Sequence, residues 1–298
     1  MQDTSWADLP FFLAVVRGGS LRAAAEATGA THATVDRHLR NLEATYGVTL
    51  FERSRAGLRL TEEGAAMLPA AEAAEAAMIS ARRRVTGLAK APEGRVHMSV
   101  SPSLAFSILP PILAGFSEAH PEIDIDITVT NRVEDLTRSE ADIGLRVGFE
   151  VSGDAVGRKV LTYAKSTYAS RAYLDRHWDA RGPEGEGLSW IGWREEQEVP
   201  DWVLQSPFPK ASIRHGAREG YMVRSMVAAG MGMSQLPCFA AGIDPRLVQV
   251  PGTEVKLDRS IWILLHEDLA RTKRVRLFVD HLAEAIRALR PLMLGPLA

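Results

Sequence analysis

An α+β multidomain fold, with an N-terminal winged helix-turn-helix, a long linker helix and a C-terminal α/β domain, is predicted by three patterns in this 298-residue chain. Amphipathic segments joined by a glycine turn lead into a cationic hairpin. A heptad of small apolar residues follows, and strand-like and helix-like runs then alternate to the end. The boundaries fall at 1–61, 62–91 and 92–298.

Leu9, Phe12, Leu13 and Val16 give the first helix an apolar stripe. Ser20 caps a second helix carrying Leu21, Ala24 and Ala25, and Thr28-Gly29-Ala30-Thr31 supplies a tight turn with Thr31 as the next N-cap. In the third helix Val35, Leu39, Leu42 and Tyr46 recur at steps of four, three and four, so they share one face and pack inward. His32, Ala33, Asp36, Arg37 and Arg40 then lie on the other face, where small, hydrogen-bonding and cationic groups suit base edges and phosphates in a major groove. Ser20, Arg22, Thr31 and Thr34 complete this candidate DNA-binding face. Leu50-Phe51-Glu52-Arg53 and Leu58-Arg59-Leu60 alternate like two strands around Ser54-Arg55-Ala56-Gly57, so a wing would present Arg53, Arg55 and Arg59 to backbone phosphates. Helix pairs with a glycine turn are also ordinary packing; the preceding helix and the following wing favour the DNA reading.

From Thr61 to about Lys90 a long helix is expected, with Glu62 and Glu63 at the positive end of its dipole. Met67, Ala71, Ala74, Met78, Ala81, Val85 and Leu88 recur at alternating steps of four and three, the seam of a coiled coil, which predicts dimerisation. Pro69 should kink this helix, and Arg82-Arg83-Arg84 reads as a solvated face. Ala91-Pro92-Glu93-Gly94 ends it.

Beyond that boundary Val96, Met98 and Val100 alternate, Ser101-Pro102-Ser103 opens a helix, and Ile123, Ile125, Ile127 and Val129 alternate again. Ile143-Gly144-Leu145-Arg146-Val147 reads as a third strand. Tyr163 to Ala169 starts a second set, continued by Ser189 to Trp193, Ala211 to Arg214, Gly232 to Leu236 and Leu247 to Val250. Ile261, Ile263 and Leu265 lead into a last helix from Arg274 to Leu289.

The first domain resembles the LysR-type transcriptional regulators. Phe11-Phe12-Leu13-Ala14-Val15, Gly19 to Ala25, Val35 to Glu43, Gly47 to Arg53 and Leu60-Thr61-Glu62-Glu63-Gly64 follow the family pattern in register. Thr31-His32 stand where the family usually has Ser-Gln, and Asp36 where it has Ser; a carboxylate on that face repels phosphate but can accept from a cytosine amine or orient Arg37 or Arg40, which leaves the operator sequence open. The resemblance implies that the C-terminal part is a two-lobed, periplasmic-binding-protein-like effector-binding domain, its last strand and helix returning to the first lobe. Lobe 1 would span about 92–160 and 266–298, and lobe 2 about 161–265. It further implies transcription regulation by a homodimer or homotetramer, with double-stranded promoter DNA, a small-molecule effector and RNA polymerase as partners and no membrane.

Effector chemistry should lie in the cleft between lobes, where strand ends and helix starts converge. Ser101 and Ser103 offer hydroxyls there, suited to an anion and equally suited to capping a helix. Thr130 follows the second strand. Arg146 ends the third and can clamp a carboxylate, or form an interlobe ion pair. His215 and Arg218 bracket a turn of the second lobe, and at most one of Trp190 and Trp193 should reach a ligand. A small organic acid is the expected effector.

Composition narrows the alternatives. The single cysteine, Cys238, excludes an intramolecular disulfide and a cysteine-based zinc site. Met1-Gln2-Asp3-Thr4-Ser5 lacks the start of an export signal, and no apolar stretch would span a membrane, so a cytoplasmic location is expected. A formal charge of -2 is low for a DNA-binding protein, so local clustering at the wing and dimerisation must supply the positive field. A solute-binding or sensor protein without specific DNA readout would share the two-lobed domain but not the wing or the heptad. Hydrolase, phosphate-loop and zinc-protease motifs are absent, so no enzyme, metal or cofactor is expected. Gly230-Met231-Gly232 reads as a packing or ligand-approach pair.

Overall fold

The computed structural model describes residues 6–54, 57–87, 93–131, 141–150, 156–192, 199–265, 269 and 272–297. The chain divides into two compact units, Met1–Thr86 and Gly87–Ala298.

The first unit opens with α1 (Leu9–Gly18), α2 (Leu21–Thr28) and α3 (His32–Tyr46), followed by β1 (Phe51–Ser54), β2 (Gly57–Leu60) and α4 (Glu62–Gly87). Ser20 Oγ accepts from Ala23 N and Thr31 Oγ1 from Thr34 N, each satisfying a helix-start N–H that has no intrahelical partner. Phe12, Leu13 and Val15 meet Ala24, Val35, Leu39 and Leu42 in the core, closed below by Leu50 and Phe51. Tyr46 departs from the expected stripe: it is the last residue of α3 and is exposed, because the core ends at Leu42. Asp8, at the start of α1, is buried and contacts His38 Nδ1 through Oδ1 at 2.5 Å, while Phe11 stacks on the His38 ring at 4.0 Å, tying α1 to α3.

β1 and β2 pair antiparallel from Phe51↔Leu60 to Ser54↔Gly57. Leu58 N donates to Gly19 O at 2.9 Å, docking this wing on the turn between α1 and α2. Gly57 permits the contact: its φ is +121°, and a Cβ there would stand 2.5 Å from Gly19 O.

The expected seam of α4 divides. Ala71 is buried in the core of its own winged-helix unit and Met67 packs beside it, so Ala71 offers nothing to a second copy; the apolar repeat begins where α4 still closes the unit's base. Arg17 of α1 reaches Glu75 of α4 through two contacts, at 3.0 and 2.5 Å, fixing the two helices together. Met78 and Ala81 are exposed and Ala74 is half-buried. The Val85 side chain and all of Leu88 lie outside the described residues.

The second unit runs β3 (Gly94–Val100), α5 (Pro102–Ser107), α6 (Leu109–Ala119), β4 (Ile123–Val129), β5 (Ile143–Gly148), β6 (Val156–Ser170), α7 (Arg171–His177), β7 (Ser189–Gly192), α8 (Asp201–Leu204) and β8 (Ser212–Gly216). α9 (Gly220–Ala228), β9 (Met233–Pro237), α10 (Cys238–Gly242), β10 (Leu247–Gln249), β11 (Lys256–Leu265), α11 (Lys273–Ala288) and α12 (Arg290–Leu294) complete it. The strand order is β4-β3-β5-β11-β6-β9-β7-β8, with β10 also on β6. β3 runs parallel to β4 and β5, and β7 parallel to β8 and β9, while β6 and β11 are antiparallel to each other between these sets. They are the two crossings of a two-lobed fold. β6 is 15 residues long and begins well before Tyr163, because a crossing strand belongs to both lobes.

In the first lobe Val96, Met98 and Val100 pack with Phe116, Ile143, Leu145, Ile261, Ile263 and Phe278. In the second, Tyr168, Ile191, Val223, Val227 and Leu236 form one cluster and Tyr173, Trp190, Val203, Phe208 and Met233 another. Trp190 is fully buried, its Nε1 donating to Phe208 O at 3.1 Å, so it belongs to the core and not to a ligand site; Trp193 lies outside the described residues. A Cβ on Gly232 would stand 2.6 Å from Ser189 O, so this glycine lets β9 pack on β7.

Candidate nucleic-acid interface and ligand cavity

The outer face of α3 carries His32, Ala33, Arg37 and Arg40 exposed, with Thr34 and Asp36 half-buried. Thr31 Oγ1 lies 2.8 Å from Thr34 Oγ1, so both hydroxyls serve the start of the helix. Asp36 Oδ2 pairs with Arg40 Nη2 at 2.9 Å, one helical turn on. A recess of about 520 Å³ between α2, α3 and the wing gathers Ser20, Arg22, His32, Asp36, Arg40 and Leu58. Arg22 pairs with Glu26 at 3.3 Å and stays exposed. Arg59 projects from β2 into solvent; the Arg53 side chain and Arg55 lie outside the described residues.

In the second unit a cavity of about 540 Å³ lies between the lobes, bounded by the ends of β5 and β9, by α5, α8 and α9, and by the crossing strands. Four expected residues line it: Ser101, Ser103, Arg146 and Arg218. Thr130 and His215 do not. Thr130 follows β4 and His215 sits within β8, and each stops short of the cavity, which Asn131 and Arg218 reach from just beyond the same two strands. The Thr130 N–H closes onto Val100 O at 2.9 Å, and the next residue, Asn131, lines the cavity instead.

Ser101 is only 6 % exposed and its Oγ has no hydrogen-bond partner; although it is the N-cap residue of α5, its side chain makes no capping bond. Arg146 is equally buried, with Nη2 donating to Ser99 Oγ at 2.5 Å and Nη1 to Leu145 O at 3.2 Å. Glu219 lines the cavity and also caps α9, accepting from Tyr221 N at 3.0 Å and Met222 N at 2.9 Å, so two backbone N–H groups share its charge. Arg224 donates to Asp244 at 3.2 Å and lies 5.4 Å from the Tyr221 ring.

A second polar group sits on the crossing strands. Asp258 receives Lys165 Nζ at 3.0 Å, Arg259 Nε at 3.1 Å and Tyr163 OH at 3.1 Å, beside a register shift between Leu257 and Ser260. Burial pushes the Asp258 carboxyl up, but the Lys165 hydrogen bond and charge, joined by Arg259, hold it below the usual carboxylate range. Burial raises the Tyr163 phenol well above its ordinary value, so it stays a donor. Sequence reasoning missed Asp258 and Arg259 by starting the last strand at Ile261, where the charged residues heading an apolar run were the available signal, and it passed over Lys165 inside the expected Tyr163-to-Ala169 strand, where a lone cation among apolar and hydroxyl side chains was the signal. Trp202, Tyr221 and Trp262 supply the aromatic walls. Among the described residues no cluster of three metal-ligating side chains occurs, and no helix is long and apolar enough to cross a membrane.

A winged helix with a cationic outer face and a two-lobed unit enclosing a charged cavity define a DNA-binding regulator with its own ligand-binding domain. Residues 6–65 match the bacterial regulatory helix-turn-helix proteins of the lysR family, and residues 89–287 match the LysR substrate binding domain. This chain belongs to the LysR family of transcriptional regulators. It is 25 % identical over 295 residues to the HTH-type transcriptional regulator CrgA of Neisseria meningitidis, covering 95 % of this chain and 97 % of CrgA. An HTH-type transcriptional regulator of Xanthomonas campestris is 32 % identical over 177 residues, covering 59 % of this chain and 52 % of that protein. The structure of CrgA superposes with a TM-score of 0.57 at 26 % identity, covering 93 % and 97 % of the two chains. That of the Vibrio cholerae virulence activator AphB, at 24 % identity and coverages of 93 % and 98 %, reaches 0.61 and shares the fold.

Proposed function

We propose that this protein is a sequence-specific regulator that binds promoter DNA through α3 and the wing and alters those contacts when a small organic acid occupies the interlobe cavity. The observation that carries the effector class is the lining itself: five cations, Arg146, Lys165, Arg218, Arg224 and Arg259, face three carboxylates, beside a buried Ser101 hydroxyl with no partner. An anion with hydrogen-bonding oxygens offsets both. A ligand shifts the protein only by favouring one lobe arrangement over another, and the crossing strands that hold Asp258 are the elements such a shift would bend. We read the exposed outer positions of α4 as a pairing surface for a cytoplasmic homodimer or homotetramer, with RNA polymerase as a further partner.

Two assays test this. Genomic DNA fragments retained by the full-length protein at raised salt with competitor should reduce to a few sites with dyad symmetry; diffuse recovery would favour a ligand sensor without DNA readout. In a thermal-shift screen of the full-length protein, carboxylates should raise the melting temperature, and a response to neutral compounds alone refutes the organic-acid assignment.

A further inference from the structure

We infer that Asp36 and Arg40 act as one unit that reads a single C·G base pair in a fixed orientation, an inference that rests on the proposed placement of α3 in the major groove. The pair is on the outer face of α3, with Oδ2 and Nη2 2.9 Å apart and with Asp36 37 % and Arg40 75 % exposed. An exposed ion pair at this spacing contributes little to folding. Its chemistry is informative for another reason. It sets an acceptor, the carboxylate, beside a donor, the guanidinium, at the spacing of a single hydrogen bond.

In the major groove the cytosine N4 amine and the guanine O6 also stand side by side, joined by a Watson–Crick hydrogen bond of about the same length. Asp36 therefore matches the cytosine amine while Arg40 matches guanine O6, and the Arg40 fork has further N–H groups for guanine N7. Reversing the pair puts the carboxylate against O6 and N7, two acceptors that repel it. An A·T pair repeats the donor-acceptor order, but adenine N7 then lies on the carboxylate side and the thymine methyl lies where the Arg40 fork needs a second acceptor. A T·A pair faces the carboxylate with O4. A carboxylate among phosphates is unfavourable unless an amine meets it, so Asp36 acts by rejecting three of the four base pairs as much as by binding the fourth. Ser20, Arg22 and His32 share the recess, and none brings a competing carboxylate. Glu43, the recess's other acid, is occupied: its Oε1 accepts from Leu50 N at 2.8 Å.

The test is selection from a randomised duplex library by the full-length protein and its Asp36→Ala, Asp36→Asn and Arg40→Ala variants, with circular dichroism confirming that each is folded. The wild type should select a C·G pair at one position of each half-site, favoured over the other three by about 5- to 100-fold. Asp36→Ala should flatten that position and leave the others unchanged. Asp36→Asn, which donates and accepts, should move it towards adenine, and Arg40→Ala should relax the same position. A discrete wild-type site whose every position survives Asp36→Ala overturns this inference alone, as does an equal loss of affinity for all sequences. A wild type that selects no discrete site overturns the DNA-reading assignment and this inference with it.

Discussion

Replacing Ser101 with alanine should make the ligand-free protein more stable and a worse sensor. The Ser101 hydroxyl is buried without a partner, and it makes no capping bond to α5, so its removal loses no hydrogen bond in the empty protein. The backbone contributions stay: Ser101 N donates to Leu145 O, and Ser101 O accepts from Leu104 N and Ala105 N, all independent of the side chain. A buried polar group left unsatisfied costs about 1–3 kcal/mol. The lower end applies beside a cavity, and a gain of about 1 kcal/mol raises the melting temperature of a unit this size by about 2–4 °C. With a carboxylate bound, the same substitution removes a hydrogen bond and should weaken binding about tenfold. Urea denaturation of the free protein, paired with calorimetric titration of the best carboxylate from the screen, measures both quantities. A variant that is less stable when free, or that binds the acid as well as the wild type, refutes the reasoning.

Gly57→Val should detach the wing. A β-branched residue at φ +121° is strained by about 1–3 kcal/mol and its Cβ meets Gly19 O, so the Leu58 to Gly19 bond cannot form. DNA affinity should fall at every sequence in a filter or anisotropy assay while the ligand response of the second unit is unchanged. Asp258→Asn tests the crossing-strand cluster. A carboxyl held below its unfolded value of about 3.9 contributes stability that is complete above that pH and is lost as pH falls through the lower folded value. The variant should therefore be less stable by about 1–3 kcal/mol near pH 7, discounted because Lys165 and Arg259 are partly exposed, with the gap closing in urea titrations below about pH 4.

The winged helix was legible because its rules are local. Ser20 and Thr31 are capping residues followed by apolar repeats, and caps act on N–H groups within three residues. Tyr46 was misread because periodicity tells which way a side chain points but not where the core stops. Ala71 shows the same ambiguity, since one apolar stripe on α4 serves its own unit before it can serve another. In the second unit Arg146 and Ser101 could be placed from strand and helix ends, whereas Thr130 was one residue off: its N–H closes onto Val100 O of a strand thirty positions earlier, a pairing no local pattern encodes, and Asn131 is the residue that reaches the cavity. The Asp258 cluster joins residues about a hundred positions apart, which no local pattern encodes.

Because Ala71 is buried in the winged-helix core and Glu75 is held by Arg17, the first half of α4 is not a tether but part of the DNA-reading body. A tether lets each reading head search independently; a stiff arm does not. Whatever grips the outward positions of α4 turns α3 through the same angle, with no slack between grip and groove. Half-site spacing would then be a mechanical constant of the arm, and lengthening a binding site by half a helical turn of DNA should cost far more than the loss of one base contact.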